Sequence, residues 1–222
     1  MVIAIDGPAA SGKSSTAQWV AERLGYLHVD SGSLYRALTA VTLRGGAPAA
    51  GWTADVMLAE GDRVSLRPEA SAYIVLIDGE PAEEEIRGSA VTAHVSHAAT
   101  MPAVRAWVNE RVRLAAETRN VVVDGRDMGT AVFPDAPLKI FLIADSWERA
   151  RRRLTQRLGR RATDGEVAEE VDALVHRDAR DATQTVQAND AILLDTTYLT
   201  QAEQVERIVA LAHAVSHRPS VT

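Results

Sequence analysis

The sequence predicts an α/β fold in which helices flank a five-stranded parallel sheet, with an inserted lobe and a short lid. Three observations predict it. Short apolar runs typical of buried strands alternate with segments whose apolar residues recur every three or four positions, as on a helix face. The first two strands are joined through one turn and one helix, the connection of a parallel βαβ unit. About 90 residues then separate Asp30 from the next buried strand, far more than a simple crossover needs.

The N-terminal elements form a strand–helix–strand–helix unit. Residues 2–5 are an apolar strand, which Asp6-Gly7-Pro8 ends. The helix that starts at Ser14 has apolar residues at i, i+3, i+4 and i+7, and Gly25 suits its end. Residues 27–30 read as the second strand. The next helix, over 33–43, stops at a segment rich in glycine and proline.

The inserted segment contains its own short strands. Residues 64–67 and 73–77 fit strands, and Asp78-Gly79 fits a turn. This pattern predicts a small antiparallel sheet, with the run Glu83-Glu84-Glu85 on a solvated face.

The pattern of the main sheet then resumes. An amphipathic helix is predicted over 102–118, and the remaining strands are predicted at 120–124, 138–144 and 191–195. An Arg-rich helix starts at Ser146 and is interrupted at Gly159. Thr163 and Glu166 fit a capping box that restarts a helix, and residues 201–217 form the last one. We therefore divide the chain into a core of residues 1–36 and 100–222, with a lid at approximately 153–166, and a lobe of residues 37–99.

Composition excludes several classes of protein. The net charge of −6 argues against a non-specific nucleic-acid coat, and no apolar run is long enough for a membrane helix. The absence of cysteine excludes disulfides, thiol catalysis and thiolate metal sites. The N-terminus lacks the features of a signal peptide. These observations predict a cytoplasmic protein without nucleic-acid or membrane partners.

The basic residues are unevenly distributed by type. There are 22 arginines and only two lysines, Lys13 and Lys139. Codon bias in a GC-rich genome explains most of this count. A physical explanation stands beside it, because arginine matches phosphate and carboxylate edges with two parallel hydrogen bonds.

A phosphate-binding loop follows the first strand. Residues 7–14 fit the pattern G-x-x-x-x-G-K-[ST] between a strand and a helix, the context that supports the motif. Backbone N–H groups of such a loop surround phosphate oxygens, Lys13 reaches the β- and γ-phosphates, and Ser14 holds Mg²⁺. The predicted ATP-binding residues are Gly7, Pro8, Ala9, Ala10, Ser11, Gly12, Lys13, Ser14 and Ser15. The chain has neither the N-K-x-D motif of switch GTPases nor the L-S-G-G-Q signature of transport ATPases. A small-molecule kinase fits best.

Candidate acceptor-binding residues follow two other strands at the edge where parallel sheets bind ligands. After the second strand, Asp30 and Ser31 suit hydrogen bonding to a substrate and Arg36 suits an anion, although a helix cap and a surface arginine explain them equally well. After the third, the loop from Asp124 to Thr130 sets an arginine between carboxylates. Asp124 occupies the place of a carboxylate that supports Mg²⁺. A salt-bridged surface turn is the alternative there.

Further arginines suit the transferring phosphate. Seven fall within the thirteen residues from Arg149 to Arg161, where a solvated helix face is the usual explanation and a lid over the phosphate is the functional one. We expect a minority of the seven to serve the lid. Arg105 lies in the first turn of its helix, where a cation opposes the helix dipole. Arg177 and Asp181 either pair with each other or contact substrate.

Taken together, these segments resemble bacterial cytidylate kinases, of the nucleoside monophosphate kinase group. The resemblance is carried by IDGPAASGKSS at 5–15, DSGSLYR at 30–36, EIR at 85–87, SHAATMPAVR at 96–105, DGRDMGTAVFPDAPLKIFL at 124–142 and RDARD at 177–181. DGRDMGT and DSG-x-x-YR together distinguish it from adenylate and guanylate kinases. The resemblance implies a P-loop kinase core, with the lobe as the monophosphate-binding region and the Arg-rich stretch as the lid.

The resemblance also implies functions for individual residues. Residues 7–15 would bind the ATP phosphates. The residues implied to contact the base, sugar or phosphate of CMP are Ser31, Arg36, Ser96, Arg105, Arg126, Asp127, Arg177 and Asp181, and the predicted substrate-binding set adds Asp30, Tyr35 and Asp124. The predicted catalytic residues are Lys13, Arg126, Arg153 and Arg157, and the predicted Mg²⁺ ligands, mostly through water, are Ser14 and Asp124. One position departs from the family pattern: Gln184 stands where an arginine is common.

The resulting hypothesis is a Mg²⁺-dependent, monomeric kinase of pyrimidine nucleotide metabolism that transfers a phosphoryl group from ATP to CMP or dCMP. Two alternatives stay open. A kinase for another acceptor, such as UMP or dephospho-coenzyme A, would differ only in the acceptor pocket. A nucleotide-dependent binding module would bind ATP without acceptor-dependent formation of ADP.

Overall fold

The computed structural model describes residues 1–46 and 48–217. Within these residues the strands are β1 (Val2–Asp6), β2 (Leu27–Asp30), β3 (Val64–Pro68), β4 (Tyr73–Ile77), β5 (Glu80–Pro81), β6 (Val121–Asp124), β7 (Leu138–Ile143) and β8 (Ile192–Asp195). The helices are α1 (Lys13–Leu24), α2 (Ser31–Arg44), α3 (Ala54–Leu58), α4 (Glu83–Arg87), α5 (Ser89–Thr100), α6 (Pro102–Ala116), α7 (Ser146–Leu158), α8 (Asp164–Asp181) and α9 (Gln201–Ser216). No helix of these residues is long and apolar enough to cross a membrane.

Five parallel strands form the main sheet in the order β2-β6-β1-β7-β8, which confirms the predicted α/β fold. In this register Asp124 at the end of β6 lies beside Asp30 of β2 and Ile5 of β1. The carboxyl ends of the three strands therefore meet at one edge of the sheet, where open α/β sheets bind ligands.

Helices cover both faces of the sheet, as successive side chains of β1 show. Ile3 and Ile5 pack with residues of α1 and α9, whereas Ala4 belongs to the core cluster that includes residues of α2 and α6. Because neighbouring side chains of a strand point to opposite faces, a strand buried on both sides is apolar throughout. This explains why the main strands show continuous apolar runs rather than alternation.

A second, antiparallel sheet of β3, β4 and β5 lies within the inserted segment, as predicted. Asp78 and Gly79 join β4 to β5, both with positive φ (55° and 85°), as a tight hairpin turn requires. Glu83 and Glu84 are exposed, as expected, whereas Glu85 is half-buried and pairs with Arg44. The division into a lobe of 37–99 and a core of 1–36 and 100–222 stays a prediction, and Ala47 and residues 218–222 lie outside the described residues.

Helix boundaries differ from the predicted ones by a few residues. Helix α2 begins at Ser31 rather than at residue 33, because the Asp30 side chain caps it and accepts a hydrogen bond from the Ser33 N–H at 3.2 Å. The predicted capping box is confirmed, since Thr163 and Glu166 exchange side-chain and backbone hydrogen bonds at the start of α8. The stretch between α7 and α8 is therefore short and well defined.

Candidate active site

The segment that joins β1 to α1 curls around the N-terminus of α1. Gly7, Ala10 and Gly12 have φ values of 146°, 58° and 90°, in the left-handed region. At Gly7 an added Cβ would lie 2.2 Å from the carbonyl oxygen of Leu142, so this position needs glycine. The helix N-terminus carries partial positive charge, which together with free N–H groups favours phosphate.

Lys13, the first residue of α1, is buried, and its Nζ donates to the carbonyl oxygen of Pro8 at 2.8 Å. Burial, followed by the nearby charge of Arg126, lowers the pKa of Lys13 to about 7. A buried ammonium without a full counter-charge is suited to receive phosphate oxygens, because they supply the negative charge that the protein does not.

Two side chains hold Asp124 at the end of β6. The Ser14 hydroxyl donates to Asp124 Oδ2 at 2.7 Å, and His28 Nε2 lies 2.7 Å from Asp124 Oδ1. Burial opposes protonation of His28, but the hydrogen bond to Asp124 and its charge outweigh that effect and raise the pKa of His28. Among the described residues no cluster of three or more His, Asp or Glu side chains is arranged to hold a metal. Ser14 and Asp124 nevertheless present hard oxygen donors of the kind that Mg²⁺ prefers.

The residues after β2 form one wall of the site. The Asp30 carboxylate caps α2 and also pairs with Arg87 at 2.9 Å, and the Ser31 hydroxyl donates to the backbone oxygen of Asp124 at 2.7 Å. Arg36 Nη1 donates to the carbonyl of Ile86 and to the Thr92 hydroxyl. Both sequence interpretations of Asp30 are therefore compatible, since one oxygen caps the helix while the carboxylate also faces the cleft.

A second group of charged side chains lines the same cleft. Arg105 pairs with Asp127, and Arg126 Nε lies 3.4 Å from Asp181 Oδ2, which Arg177 approaches to 3.8 Å. Burial, followed by the charge of Arg126, lowers the pKa of Arg177 to about 10.

Tyr35 completes this group. Its hydroxyl is buried and has no hydrogen-bond partner among the described residues, and burial raises its pKa to about 12. The hydroxyl is therefore available to a ligand. The segment DSGSLYR at 30–36 does not show that the Tyr35 hydroxyl is buried without a partner.

The seven arginines of the Arg-rich stretch have different environments. Arg151 and Arg152 pair with Glu148, and Arg160 pairs with Glu166. Arg149 is buried and contacts the phosphate loop instead. Arg153 and Arg157 both line the cleft and pair with Glu170 of α8. Of the seven, only these two line the cleft, and their predicted role in a lid stays a prediction.

One cleft of about 960 Å³ brings the predicted residues together. The predicted residues that line it are Ala9, Ala10, Gly12, Lys13, Ser14, Ser15, Asp30, Ser31, Tyr35, Arg36, Ser96, Arg105, Asp124, Arg126, Asp127, Arg153, Arg157, Arg177 and Asp181. Gln184 lines it as well, whereas Gly7, Pro8 and Ser11 do not. Eight cationic side chains and five carboxylates line this cleft, although the chain has a net charge of −6. The cleft is therefore locally suited to anions.

Sequence reasoning missed several residues of this region, among them His28, Arg87, Asp6 and Asp178. The EIR segment contained Arg87, but no residue pattern assigned it to the site. Asp6, at the end of β1, accepts the N–H groups of Met128 and Gly129 at 2.8 and 2.7 Å and so holds the loop after β6. Its position just before the phosphate loop was the only available signal.

The buried Asp6 carboxylate makes stability depend on pH. Burial raises its pKa to about 6, above the value of 3.8 that it has when exposed, so its contribution to stability is complete below pH 4 and is lost as pH rises through 6. We expect the wild-type free energy of unfolding to fall by about 2 kcal/mol, relative to that of Asp6→Asn, between pH 4 and pH 7. Denaturant unfolding of both proteins at several pH values measures this difference, and parallel pH profiles would contradict it.

Helices α7 and α8 both contact the phosphate loop at Ala9. The Asp178 carboxylate accepts the Ala9 N–H at 3.3 Å, and Arg149 Nη1 donates to the Ala9 carbonyl at 2.9 Å and to Asp178 at 2.7 Å. The Arg149–Asp178 ion pair connects α7 to α8. It thus binds both the N–H and the carbonyl of Ala9.

Removing the charge of Asp178 should loosen the phosphate loop. We expect Asp178→Asn to lower the free energy of unfolding by about 1–3 kcal/mol, because it leaves the buried Arg149 without its counter-ion. The KM for ATP should rise more than the KM for the acceptor. Urea unfolding and steady-state kinetics measure the two effects. Asp172→Asn, an exposed position of the same helix, is the control and should behave like the wild type.

Comparison with known proteins shows the family of this chain. The family described as cytidylate kinase matches residues 3–214. The chain is 41% identical over 215 residues to a cytidylate kinase of Geobacillus kaustophilus (strain HTA426), covering 95% of this chain and 96% of that protein. It is 42% identical over 212 residues to a cytidylate kinase of Chromobacterium violaceum, covering 94% and 93%. A cytidylate kinase of Limosilactobacillus fermentum is 40% identical over 210 residues, covering 93% and 92%. From its phosphate loop to its last helix, the chain belongs to the cytidylate kinase family.

Proposed function

We propose that the protein transfers the γ-phosphoryl group of ATP to CMP or dCMP, giving ADP and CDP or dCDP. One observation carries the proposal: the phosphate loop with Lys13 and the acceptor-side arginines Arg36, Arg105 and Arg126 face one cleft. A protein that only bound ATP would have no need of these three further arginines in the same cleft. Membership of the cytidylate kinase family supports the choice of acceptor.

ATP phosphates fit the side of the cleft formed by the phosphate loop. Its glycines allow the backbone to approach an anion closely, and the N-terminus of α1 and Lys13 add positive charge. We propose that residues 7–15 bind these phosphates and that Lys13 is catalytic. Neutralising the β- and γ-phosphates favours the charge distribution of the transition state over that of free ATP.

Mg²⁺ fits beside the same loop. The Ser14 hydroxyl and the Asp124 carboxylate are neighbouring oxygen donors, and His28 and Ser31 fix Asp124 through separate atoms. We propose that Ser14 and Asp124 hold Mg²⁺ mostly through water. When bound, the ion neutralises negative charge on the phosphates.

The opposite side of the cleft fits a nucleoside monophosphate. Arg36 and Arg126 suit the acceptor phosphate, because a guanidinium matches its oxygens with two hydrogen bonds. We propose that Tyr35, Ser96, Arg105 and Asp127 contact the remainder of the nucleotide. Asp30, Ser31, Arg177 and Asp181 complete the proposed substrate-binding set.

Positioning and charge neutralisation are sufficient for this reaction. An oxygen of the acceptor phosphate attacks the γ-phosphorus, the bond to the β–γ bridging oxygen breaks, and ADP leaves. The attacking oxygen is already anionic, so the site needs no strong general base. We propose that Arg153 and Arg157, which line the cleft, stabilise the transferring group and that closure of the lid excludes water.

An acceptor panel tests the identity of the substrate. Formation of ADP from ATP and Mg²⁺ is measured by a coupled assay with CMP, dCMP, UMP or dephospho-coenzyme A, and without acceptor. We expect the largest kcat/KM values with CMP and dCMP. Equal or higher values with UMP or dephospho-coenzyme A would refute the proposed acceptor and favour one of the alternative kinases.

Three expectations stay predictions: the cytoplasmic location, the monomeric state and the domain boundaries with a lid at 153–166. Gln184 lines the cleft, at a position where a longer and charged arginine is common in the family. We propose that this substitution weakens one contact with the acceptor without abolishing activity, since Arg36, Arg105 and Arg126 are all present.

A further inference from the structure

Two lid arginines share one buried carboxylate. Arg153 Nε lies 3.0 Å from Glu170 Oε1, and Arg157 Nη1 lies 3.2 Å from Glu170 Oε2. The Glu170 side chain is 7% exposed, whereas those of Arg153 and Arg157 are 28% and 58% exposed. Both arginines line the cleft while they are bound in this way. One carboxylate of α8 therefore fixes two guanidinium groups of α7 at the edge of the site.

These two arginines would otherwise repel each other and their neighbours. They lie four residues apart on α7, so their side chains share one helix face, where like charges destabilise. Arg153 also lies near Arg36 and Arg177. Burial is the largest cause that lowers the pKa values of Arg36 and Arg177, and the positive charge of Arg153 lowers both further. The negative charge of Glu170 offsets this repulsion where the cations converge.

Packing alone does not account for a carboxylate at this position. A small apolar cluster packs α7 against α8. Its buried members are Ala9, Ala150, Leu154, Ala162, Val167 and Leu174. Glu170 is buried on the same helix between Val167 and Leu174. A buried carboxylate is costly unless it is paired, and an apolar residue of similar size would suit such packing. Both oxygens of Glu170 are instead committed to the lid arginines.

We propose that Glu170 is a positioning residue that presets Arg153 and Arg157 for the charge of the transferring phosphoryl group. This inference rests on the proposed kinase function and extends it to a residue that is not among those lining the cleft. Guanidinium groups that are already ordered need not be immobilised during the reaction, so more of their electrostatic effect reaches the transition state. Glu170 then influences turnover only through the two arginines.

The first test compares neutral variants of two adjacent glutamates. Glu170→Gln keeps the shape of the side chain but removes its charge. We expect kcat to fall about tenfold, with the KM for CMP little changed. Glu169→Gln is the matched control, because Glu169 is exposed and no described residue pairs with it. Its kcat should equal that of the wild type. Thermal unfolding of both variants checks that they are folded.

The second test repeats the substitution without the arginines. In a protein carrying Arg153→Ala and Arg157→Ala, Glu170→Gln should cause no further loss of kcat, because the groups through which it acts are gone. An unchanged or increased kcat in the single Glu170→Gln variant would overturn the proposal, as would the same tenfold loss in both backgrounds. Lack of CMP-dependent ADP formation by the wild type would refute the kinase function itself, a result that is distinguishable because it appears before any substitution.

Discussion

Lys13→Ala is expected to lower kcat by about a thousandfold or more, the largest effect of any single substitution considered for this protein. The Lys13 ammonium is buried beside the phosphate loop, and its Nζ contacts only the Pro8 carbonyl among hydrogen-bond acceptors of the described residues. Alanine would remove the lysine that we propose to bind the ATP phosphates. The measurement is steady-state formation of ADP with saturating CMP.

Measuring the stability of Lys13→Ala shows whether its loss of kcat comes from unfolding of the variant. Burial of the Lys13 charge is unfavourable in the unliganded protein, since it lowers the pKa to about 7. We therefore expect Lys13→Ala to unfold at the same denaturant concentration as the wild type or at a higher one. Near-normal turnover in a folded Lys13→Ala protein would rule out the assignment of residues 7–15 to ATP phosphates.

Arg126→Ala is expected to lower kcat/KM for CMP by about a hundredfold. Arg126 follows the carboxyl end of β6, pairs weakly with Asp181 and influences the pKa values of both Lys13 and Arg177. It therefore lies near both Lys13 and Arg177. Removing it takes away a cation that suits the acceptor phosphate and leaves Asp181 with less positive charge nearby.

The matched control for this substitution is Arg119→Ala. Arg119 is exposed and does not line the cleft, so its removal changes the net charge equally without touching the site. Coupled kinetics with varied CMP and fixed ATP distinguish the two variants. Equal kcat/KM values for Arg126→Ala and Arg119→Ala would show that Arg126 does not bind the acceptor.

The main sheet and the phosphate loop were predictable because their signals are local. The apolar strand from Val2 to Ile5 and the run from residue 7 to Ser14 each express one physical requirement within a few neighbouring residues. The inserted segment was recognisable from the distance between two strands. The density of arginine predicted a lid at approximately 153–166, which stays a prediction.

Partners of the site residues were not predictable, because they are far apart in the chain. His28 lies 96 positions from Asp124, and Asp178 lies 169 positions from Ala9. A lone histidine in a strand and one aspartate in a mixed charged helix carry no pattern of their own. Glu170 had no signal either, since its two arginine partners lie on another helix and an acidic residue on a helix is usually solvated.

The arginines illustrate the same limit. Their density predicted a lid, yet the structure was needed to separate Arg149, which holds the phosphate loop, from Arg153 and Arg157, which line the cleft. Arg149, Arg153 and Arg157 recur every four residues and share one face of α7, so their different partners follow from their different positions along the helix axis.

The central claim is that one cleft joins ATP to a nucleoside monophosphate for phosphoryl transfer, and the dependence of ADP formation on CMP tests it most directly. The protein is mixed with ATP and Mg²⁺, with and without CMP, and ADP and CDP are separated by chromatography. We predict that ADP forms rapidly only with CMP and that one CDP appears for each ADP. ATP binding without CMP-dependent ADP, or ADP formation without CDP, would contradict the account.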